Sequence, residues 1–330
     1  MKFLRVFIGL FLVFSVVFTV TVGQYKISES VPQSTPVEYK GILTVWQVDS
    51  FEGGFGSRKQ FLLKVARGFE KQNQGVLVMV SEYSPDGVKE NLSKGLKPDM
   101  ISFGCGVEIS GFCELKIDRS TSGGKVGEKT YATAWCRGGY VIVANPNLTD
   151  QISNELDSLV VSQGEYTQPL TALATDSITA KDIDIKPPMD AYIKFVGGKT
   201  PYLLGTQRDI VRLENRGFEV ISKPLNEYND LYQYISITGD DEIKRFYAEK
   251  FINYLISDSV QQKLTEISML SPYINANLDN KHLIEMQNQA ENKTISAFIE
   301  PDMLKEMQRL SYLAVKGDDT ALNKIKNMFV

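Results

Sequence analysis

GILTVW (Gly41–Trp46) is the first of three apolar runs in the N-terminal third of the chain, and GVLVMV (Gly75–Val80) and DMISF (Asp99–Phe103) follow it. Their apolar and β-branched residues are typical of buried strands. Ser57 begins a stretch with apolar residues at helical spacing, and a second helical stretch covers Asp86–Gly95. The order β–loop–α–β–α–β predicts a largely parallel sheet that is covered by helices.

The hydrophobic pattern of the second half differs from that of the first half, and the chain contains no internal repeat. Tyr140–Ala144 and Pro201–Leu204 are short apolar runs that each follow a glycine pair, and Leu231–Ile237 alternates between its two faces. These patterns predict three further strands. Asp240–Ser257 carries an apolar stripe at helical spacing, and the remainder to Val330 is predicted to be helical.

Length, charge and histidine content limit the functions that this chain can have. Its 330 residues suffice for one large or two ordinary domains. The net charge of −4 argues against a nucleic-acid binder, which normally carries a basic excess. The single histidine, His282, excludes a two-histidine zinc motif and leaves little room for a Ser/His/Asp set. A binding protein is therefore favoured over a hydrolase.

Two short motifs resemble parts of catalytic sites but lack their companions. GGKT (Gly197–Thr200) matches the end of a phosphate-binding loop, yet Ile193 stands where that loop requires its first glycine. SGGK (Ser122–Lys125) fits S-x-x-K, but the S-D-N and K-T-G elements are absent. We expect a protein that is not an enzyme and that uses no cofactor and no metal ion.

The N-terminus carries an export signal or a membrane anchor. Lys2 and Arg5 precede the uncharged, mostly apolar stretch Val6–Gly23. A cleaved signal peptide and an uncleaved transmembrane anchor both fit this length. In either case the basic end stays inside, so the body is expected outside the cytoplasm, at the cell surface or secreted.

The chain contains three cysteines, Cys105, Cys113 and Cys136. This number is too small for a fold built on disulfides. An odd count leaves at least one thiol unpaired; Cys105 and Cys113 are the nearest pair in sequence, and three ordinary thiols are the alternative.

Four segments occur in an order that is typical of one family. They are KPDMISFG (Lys97–Gly104), YATAWCRGGY (Tyr131–Tyr140), GGKTPYLLGTQRD (Gly197–Asp209) and FINYLISDSVQQKL (Phe251–Leu264). In these segments the chain resembles the extracellular solute-binding proteins of ABC importers, in the two-lobed type 2 class that includes the sugar-binding family 1. It departs from that pattern at Ala134, where a proline is common, and it lacks the usual lipid-anchor cysteine.

The resemblance implies an α/β protein of two lobes, each a sheet flanked by helices, with a ligand cleft between them and a helical C-terminus. The segments then read as a signal peptide or anchor (1–23), a polar linker (24–39), a first part of lobe 1 (40–140), lobe 2 (141–235) and a C-terminal helical part that returns to lobe 1 (236–330).

The function that the resemblance implies is capture of a small solute, above all a carbohydrate or sugar derivative, by hinge closure of the lobes. The partners would be that solute and the membrane subunits of an ABC transporter, with no nucleic acid. An alternative of another class is a membrane-tethered interaction or sensor protein that keeps the scaffold but has no role in transport.

Candidate ligand-binding residues lie at strand ends, at glycine-rich turns and at the crossings between lobes. A flat indole suits the face of a sugar ring, and helix N-termini offer unpaired N–H donors near Gly54–Arg58 and Gly205–Asp209. The candidates are Trp46, Asp49, Gly54, Arg58, Trp135, Arg137, Thr206, Gln207, Arg208 and Tyr232.

Each kind of candidate also has a purely structural interpretation. The two tryptophans can be core residues, the glycine-rich loop can be a tight turn, and Tyr232 can face the core. Three arginines, Arg58, Arg137 and Arg208, would clamp an anionic group if they converged, but ion-paired arginines are common.

Overall fold

The computed structural model describes residues 39–52, 56–288 and 295–329. Residues from Gly41 onward belong to one compact unit. The predicted signal or anchor (1–23) lies outside the described residues, as does all of the predicted linker except residue 39. In the described part of the chain, no helix is both long and apolar enough to cross a membrane.

Two five-stranded sheets and one short hairpin contain the strands of the described chain. The strands are β1 (Gly41–Val48), β2 (Val76–Tyr83), β3 (Met100–Phe103), β4 (Lys125–Val126), β5 (Lys129–Thr130), β6 (Thr133–Arg137), β7 (Tyr140–Ala144), β8 (Glu155–Ser162), β9 (Thr179–Lys186), β10 (Tyr202–Thr206), β11 (Ile221–Pro224) and β12 (Tyr232–Ile237).

Helices flank both sheets. They are α1 (Arg58–Gln72), α2 (Pro85–Ser93), α3 (Pro169–Thr175), α4 (Pro188–Val196), α5 (Gln207–Glu214), α6 (Glu242–Leu255), α7 (Asp258–Gln261), α8 (Lys281–Gln287), α9 (Pro301–Val315) and α10 (Asp319–Lys326). Short 3₁₀ segments cover Ser122–Gly124, Gln262–Ile267 and Asn327–Phe329.

The first sheet has the strand order β2-β1-β3-β12-β6. β1 runs parallel to β2 and β3, as the order of the apolar runs predicts. β12 returns from the other sheet and runs antiparallel to β3 and β6, so the sheet is mixed. We call this sheet together with α1, α2 and α6 lobe 1.

Helix α1 shows how local sequence and packing agree in lobe 1. The Ser57 hydroxyl accepts a hydrogen bond from the backbone N–H of Gln60 at 3.4 Å and so caps the helix. Its apolar stripe, from Phe61 to Phe69, is buried. The Phe69 ring packs edge-on against Phe251 of α6, with 5.3 Å between ring centroids. Burying such a side chain contributes about 1.5–3 kcal/mol.

The second sheet has the strand order β11-β7-β10-β8-β9, and with α3, α4 and α5 it forms lobe 2. The sequence patterns predict β7 and β10 but not β8 or β9. β9 is an edge strand with a mixed sequence, TAKDIDIK, in which only Ala180 is fully buried. In β8 the first half, ELDS, buries only Leu156, while the second half, LVVS, is buried throughout. Neither strand has the uniform apolar run that marks a central strand.

Residues 236–330 contact both lobes. Helix α6 packs against α1 and β12 of lobe 1, and the Phe298 ring lies 6.2 Å from the Phe103 ring of β3. Helix α8 contacts α5 and β11, while α9 and α10 pack against α3. Helix α3 is buried by these contacts. Its Thr171 hydroxyl lies 2.7 Å from the hydroxyl of Ser311 on α9, and both side chains are inaccessible to solvent.

Trp135→Ala is expected to destabilise the protein. The Trp135 side chain is fully buried, stacks on Phe61 with 5.6 Å between ring centroids, and donates its indole N–H to the Ser102 hydroxyl at 2.9 Å. Loss of this ring should lower the free energy of unfolding by about 3–5 kcal/mol in urea titrations. Val126→Ala, at an exposed position, is the control and should stay within about 0.5 kcal/mol. An equal, small effect of both changes would contradict this packing.

Candidate ligand-binding cleft

The chain first crosses between the sheets at Gly138 and Gly139, between β6 and β7. The Gly138 N–H donates to the Leu231 carbonyl at 2.6 Å, and the Gly138 carbonyl accepts from the Asn229 side-chain amide at 2.9 Å. The Gly139 N–H donates to Oε1 of Gln207 at 3.0 Å. Outgoing and returning segments are therefore bonded together at this crossing, which we call the hinge.

Neighbouring side chains come close to both glycines of this crossing. A Cβ on Gly138 would lie 2.8 Å from Oε1 of Gln207, and one on Gly139 would lie 2.6 Å from the terminal methyl of Met286. A residue other than glycine at either position would therefore require the end of the Gln207 or Met286 side chain to shift.

Arg137 and Gln207, two of the predicted ligand-binding residues, lie at the hinge. Arg137 exchanges backbone hydrogen bonds with Leu270, both at 2.9 Å. Its guanidinium donates to the carbonyls of Met286 at 3.1 Å and Gln287 at 3.4 Å, at the end of α8. Burial lowers the pKa of Arg137. Gln207 is completely buried, and its side chain is committed to Gly139.

A buried carboxylate, Asp230, lies on the returning segment. The Tyr140 hydroxyl donates to its Oδ1 at 2.7 Å, and the Gln168 backbone N–H donates to its Oδ2 at 2.9 Å. Burial raises the pKa of Asp230 to about 6, although these donors act in the opposite direction. Asp230 therefore connects the returning segment to β7 and to the start of α3 in lobe 2.

A cavity of about 630 Å³ lies between the two lobes. Lobe 1 contributes the loop between β1 and α1, the beginning of α1 and the end of β2, and lobe 2 contributes the loop after β8 and the first turns of α4 and α5. The lining residues are Asp49, Ser50, Phe51, Glu52, Gly56, Ser57, Arg58, Glu82, Gly164, Pro188 and Arg208. A concave site with walls from both lobes can hold a small molecule.

Arg58 organises the lobe 1 wall. Its guanidinium donates to Oδ1 of Asp49 at 2.8 Å, to the Phe51 carbonyl at 2.6 Å and to Oε1 of Gln233 at 3.0 Å. The side chain is 5% exposed and lies 4.3 Å over the Phe51 ring. The guanidinium is thus largely occupied in shaping the β1–α1 loop.

Two carboxylates on this wall remain accessible. Asp49 has 46% of its side chain exposed and Glu82 has 38%. Partial burial and the hydrogen bond from neighbouring Asp49 raise the pKa of Glu82. Carboxylate oxygens are strong hydrogen-bond acceptors, so this wall can receive hydroxyl or ammonium donors.

Salt bridges between Glu52 and two arginines join lobe 1 to lobe 2 at the cavity. Nη1 of Arg208 lies 3.3 Å from Oε1 of Glu52, and Nη2 of Arg212 lies 3.6 Å from Oε2 of Glu52. Glu52 belongs to the β1–α1 loop of lobe 1, while both arginines belong to α5 of lobe 2. Of the predicted clamp, only Arg58 and Arg208 reach this cavity; Arg137 lies at the hinge, so the three arginines do not converge.

The aromatic candidates are packing residues. Trp135 lies in the core of lobe 1, and Trp46 is 8% exposed and packs against Tyr83 with 5.0 Å between ring centroids. Tyr232 is half-buried beside Tyr234, with 6.0 Å between ring centroids. None of the three candidates is among the lining residues of this cavity, and their contact with a ligand stays a prediction.

Of the remaining candidates, one caps a helix, one lies outside the described residues and three line the cavity. Thr206 caps α5: it forms a capping box with Asp209, whose carboxylate accepts the Thr206 N–H at 2.9 Å. Gly54 lies outside the described residues. Asp49, Arg58 and Arg208 line the cavity, and their contact with a ligand stays a prediction.

Sequence reasoning missed Glu52, Glu82 and Arg212. Glu82 is the penultimate residue of β2, and Glu52 lies in the loop four residues after the end of β1; because these strands are parallel neighbours, their position was a usable signal. Arg212 lies one helical turn after Arg208, so the two share one face of α5. The three cysteines are free thiols, and among the described residues no group of three or more His, Cys, Asp or Glu could hold a metal ion.

Comparison with known proteins identifies the fold. No protein-family model matches the sequence, and no curated protein matches it. Among solved structures, the ABC substrate-binding protein Lmo0181 from Listeria monocytogenes, in complex with cycloalternan, is 12% identical with a TM-score of 0.56, and the match covers 88% of this chain and 98% of that one. The GacH receptor of Streptomyces glaucescens, with acarbose, is 15% identical with a TM-score of 0.56, covering 88% and 97%.

A third solved structure with this fold is the Atu4243-GABA receptor, which is 13% identical with a TM-score of 0.57 and coverages of 83% and 98%. The chain thus has the two-lobed fold of type 2 solute-binding proteins, as its sequence motifs predict. These neighbours are binding proteins, and their ligands belong to different chemical classes.

Asp230→Asn is expected to change how stability depends on pH. The folded-state pKa of about 6 lies above the value of ~3.9 for an unfolded aspartate, so folding favours the protonated form. The contribution of Asp230 to the free energy of unfolding is then full below about pH 4 and is lost as the pH rises to about 6. The variant should flatten that decline in urea titrations across this window.

Part of the decline should remain in this variant, because burial also raises the pKa of Asp209 to about 6. Exposed Asp182→Asn serves as the control. A decline equally steep in the wild type and in Asp230→Asn would show that Asp230 does not titrate as its burial requires.

Proposed function

We propose that this protein is the extracytoplasmic binding component of an ABC transporter, which captures a small solute between its lobes. The observation that carries the proposal is the cavity of about 630 Å³, which has walls from both lobes beside a glycine hinge. A solute that contacts both walls binds the closed form more strongly than the open form. Its binding therefore shifts the population towards closure, which a membrane permease can recognise.

The solute class that we propose is a carbohydrate or sugar derivative. Two of the fold neighbours are complexes with oligosaccharide-type ligands, while a third has GABA in its description, so the fold by itself does not select the class. The lining favours sugars because Asp49 and Glu82 present accessible carboxylates that accept hydrogen bonds from hydroxyl groups.

Location outside the cytoplasm and delivery to membrane subunits form part of the proposal. They are supported by Lys2, Arg5 and the apolar stretch after them, which lie outside the described residues. A non-enzymatic role is supported by the binding proteins that share the fold. The interaction or sensor protein remains the competing function.

A thermal-shift screen of the purified protein tests the proposal. The library would contain mono- and oligosaccharides, sugar acids, amino acids and metal ions. At about 100 times its dissociation constant, a true ligand adds roughly 2.7 kcal/mol to the folded state and raises the melting temperature visibly. We expect a selective saccharide hit. Silence across the library would contradict solute capture and favour the interaction or sensor protein.

Glu82→Gln is expected to weaken binding of the saccharide hit. The change keeps the size of the side chain but removes the charge that strengthens hydrogen bonds from hydroxyl groups, at a cost of about 1.5 kcal/mol, or roughly tenfold in affinity. Glu90→Gln is the matched control, because Glu90 pairs with Lys94 on the exposed surface of α2. Calorimetric titration measures both, and equal affinity in the two variants would remove Glu82 from the site.

A further inference from the structure

The ion pair between the lobes involves four charged groups. Glu52 of lobe 1 lies between Arg208 and Arg212 of lobe 2, and Arg212 also lies 3.6 Å from Asp209. Asp209 is buried, and burial raises its pKa to about 6, so it is mostly ionised at neutral pH. Two guanidinium groups are therefore balanced by two carboxylates. Without Glu52 this group would carry one net positive charge.

The position of Arg212 is fixed independently of Glu52. Its guanidinium lies 4.7 Å over the Tyr192 ring, and only 13% of its side chain is exposed. Nη1 of Arg212 is buried without a hydrogen-bond partner and faces Oδ1 of Asp209 at 3.6 Å, whereas Nη2 faces Oε2 of Glu52 at 3.6 Å. A largely buried guanidinium whose ion-pair partners stay at 3.6 Å costs free energy, so Nη2 requires a closer acceptor.

Glu52 meets this requirement only loosely. Its distances of 3.3 and 3.6 Å to the two guanidinium groups exceed the 2.7–2.9 Å that is usual for charge-assisted hydrogen bonds. Its side chain is 37% exposed and lines the cavity. The carboxylate can therefore leave without disturbing the core.

We propose that Arg208 and Arg212 form a carboxylate-binding subsite of the cleft, and that Glu52 occupies it in the absence of solute. The inference rests on the proposed function and refines its substrate class: the solute carries one carboxylate, as a sugar acid does. Replacement of Glu52 by a monoanionic group preserves the charge balance. A planar carboxylate could also approach both guanidinium groups more closely than Glu52 does.

Glu52 has two consequences for binding in this arrangement. It competes with the acidic group of a solute, and it attracts α5 towards the β1–α1 loop. The first effect concerns acidic solutes alone. The second alters the balance between open and closed forms and so changes the affinity of acidic and neutral solutes by the same factor. A matched pair of probes separates the two effects.

Calorimetric titration with D-glucuronate and D-glucose, which differ in one carboxylate, tests the proposal. Glu52→Gln should bind glucuronate roughly tenfold more tightly than the wild type does, because two charge-assisted hydrogen bonds become available. The glucuronate-to-glucose affinity ratio should rise by the same factor. Adding Arg212→Gln to Glu52→Gln should abolish the gain, and the surface variant Glu90→Gln should behave as the wild type.

Two results would overturn the subsite. One is an equal change for both probes in Glu52→Gln, which would make Glu52 a closure contact only. The other is no binding of glucuronate to Glu52→Gln up to tens of millimolar. If neutral saccharides still bind the wild type in either case, solute capture stands and only the carboxylate subsite fails. Silence across the whole library in the screen is a failure of the proposed function itself.

Discussion

The structure depends on the close backbone approach at Gly138 and Gly139. Their peptide groups are bonded to Leu231, Asn229 and Gln207, which come from the returning segment and from α5. These bonds join the two sheets at the crossing. A side chain at either glycine would displace the end of the Gln207 or Met286 side chain, and loss of the bonds would leave buried polar groups unpaired.

The sequence predicts the elements whose patterns are uniform. β1, α1, β2, α2 and β3 have clear apolar runs and caps, and the glycine pair marks the first crossing. β8, β9 and the positions of α9 and α10 escape prediction for a physical reason. β9 is an edge strand, β8 beside it has a mostly polar first half, and α9 and α10 are positioned by tertiary contacts with α3. The burial of α3 under α9 joins residues that are far apart in the chain, such as Thr171 and Ser311.

Residue types at the site are predicted better than their roles. Asp49, Arg58 and Arg208 reach the cavity, but Trp135 and Arg137 are used for packing and for the hinge. A tryptophan near a crossing gives the same sequence signal whether it faces a ligand or the core. The role of each arginine depends on its pairing partners. Arg58 is hydrogen-bonded to Asp49 and Gln233, while Arg208 faces Glu52 across the cleft. Such partners are distant in sequence and appear only in three dimensions.

Solute capture by two lobes requires that one molecule contact both walls of the cavity. The most direct test is a crystal structure of the protein with the saccharide that gives the largest thermal shift. The account predicts density for the saccharide between the lobes, in contact with the β1–α1 loop around Asp49 and with Arg208 of α5. Density confined to one lobe, or lying outside the cavity, would contradict capture by closure.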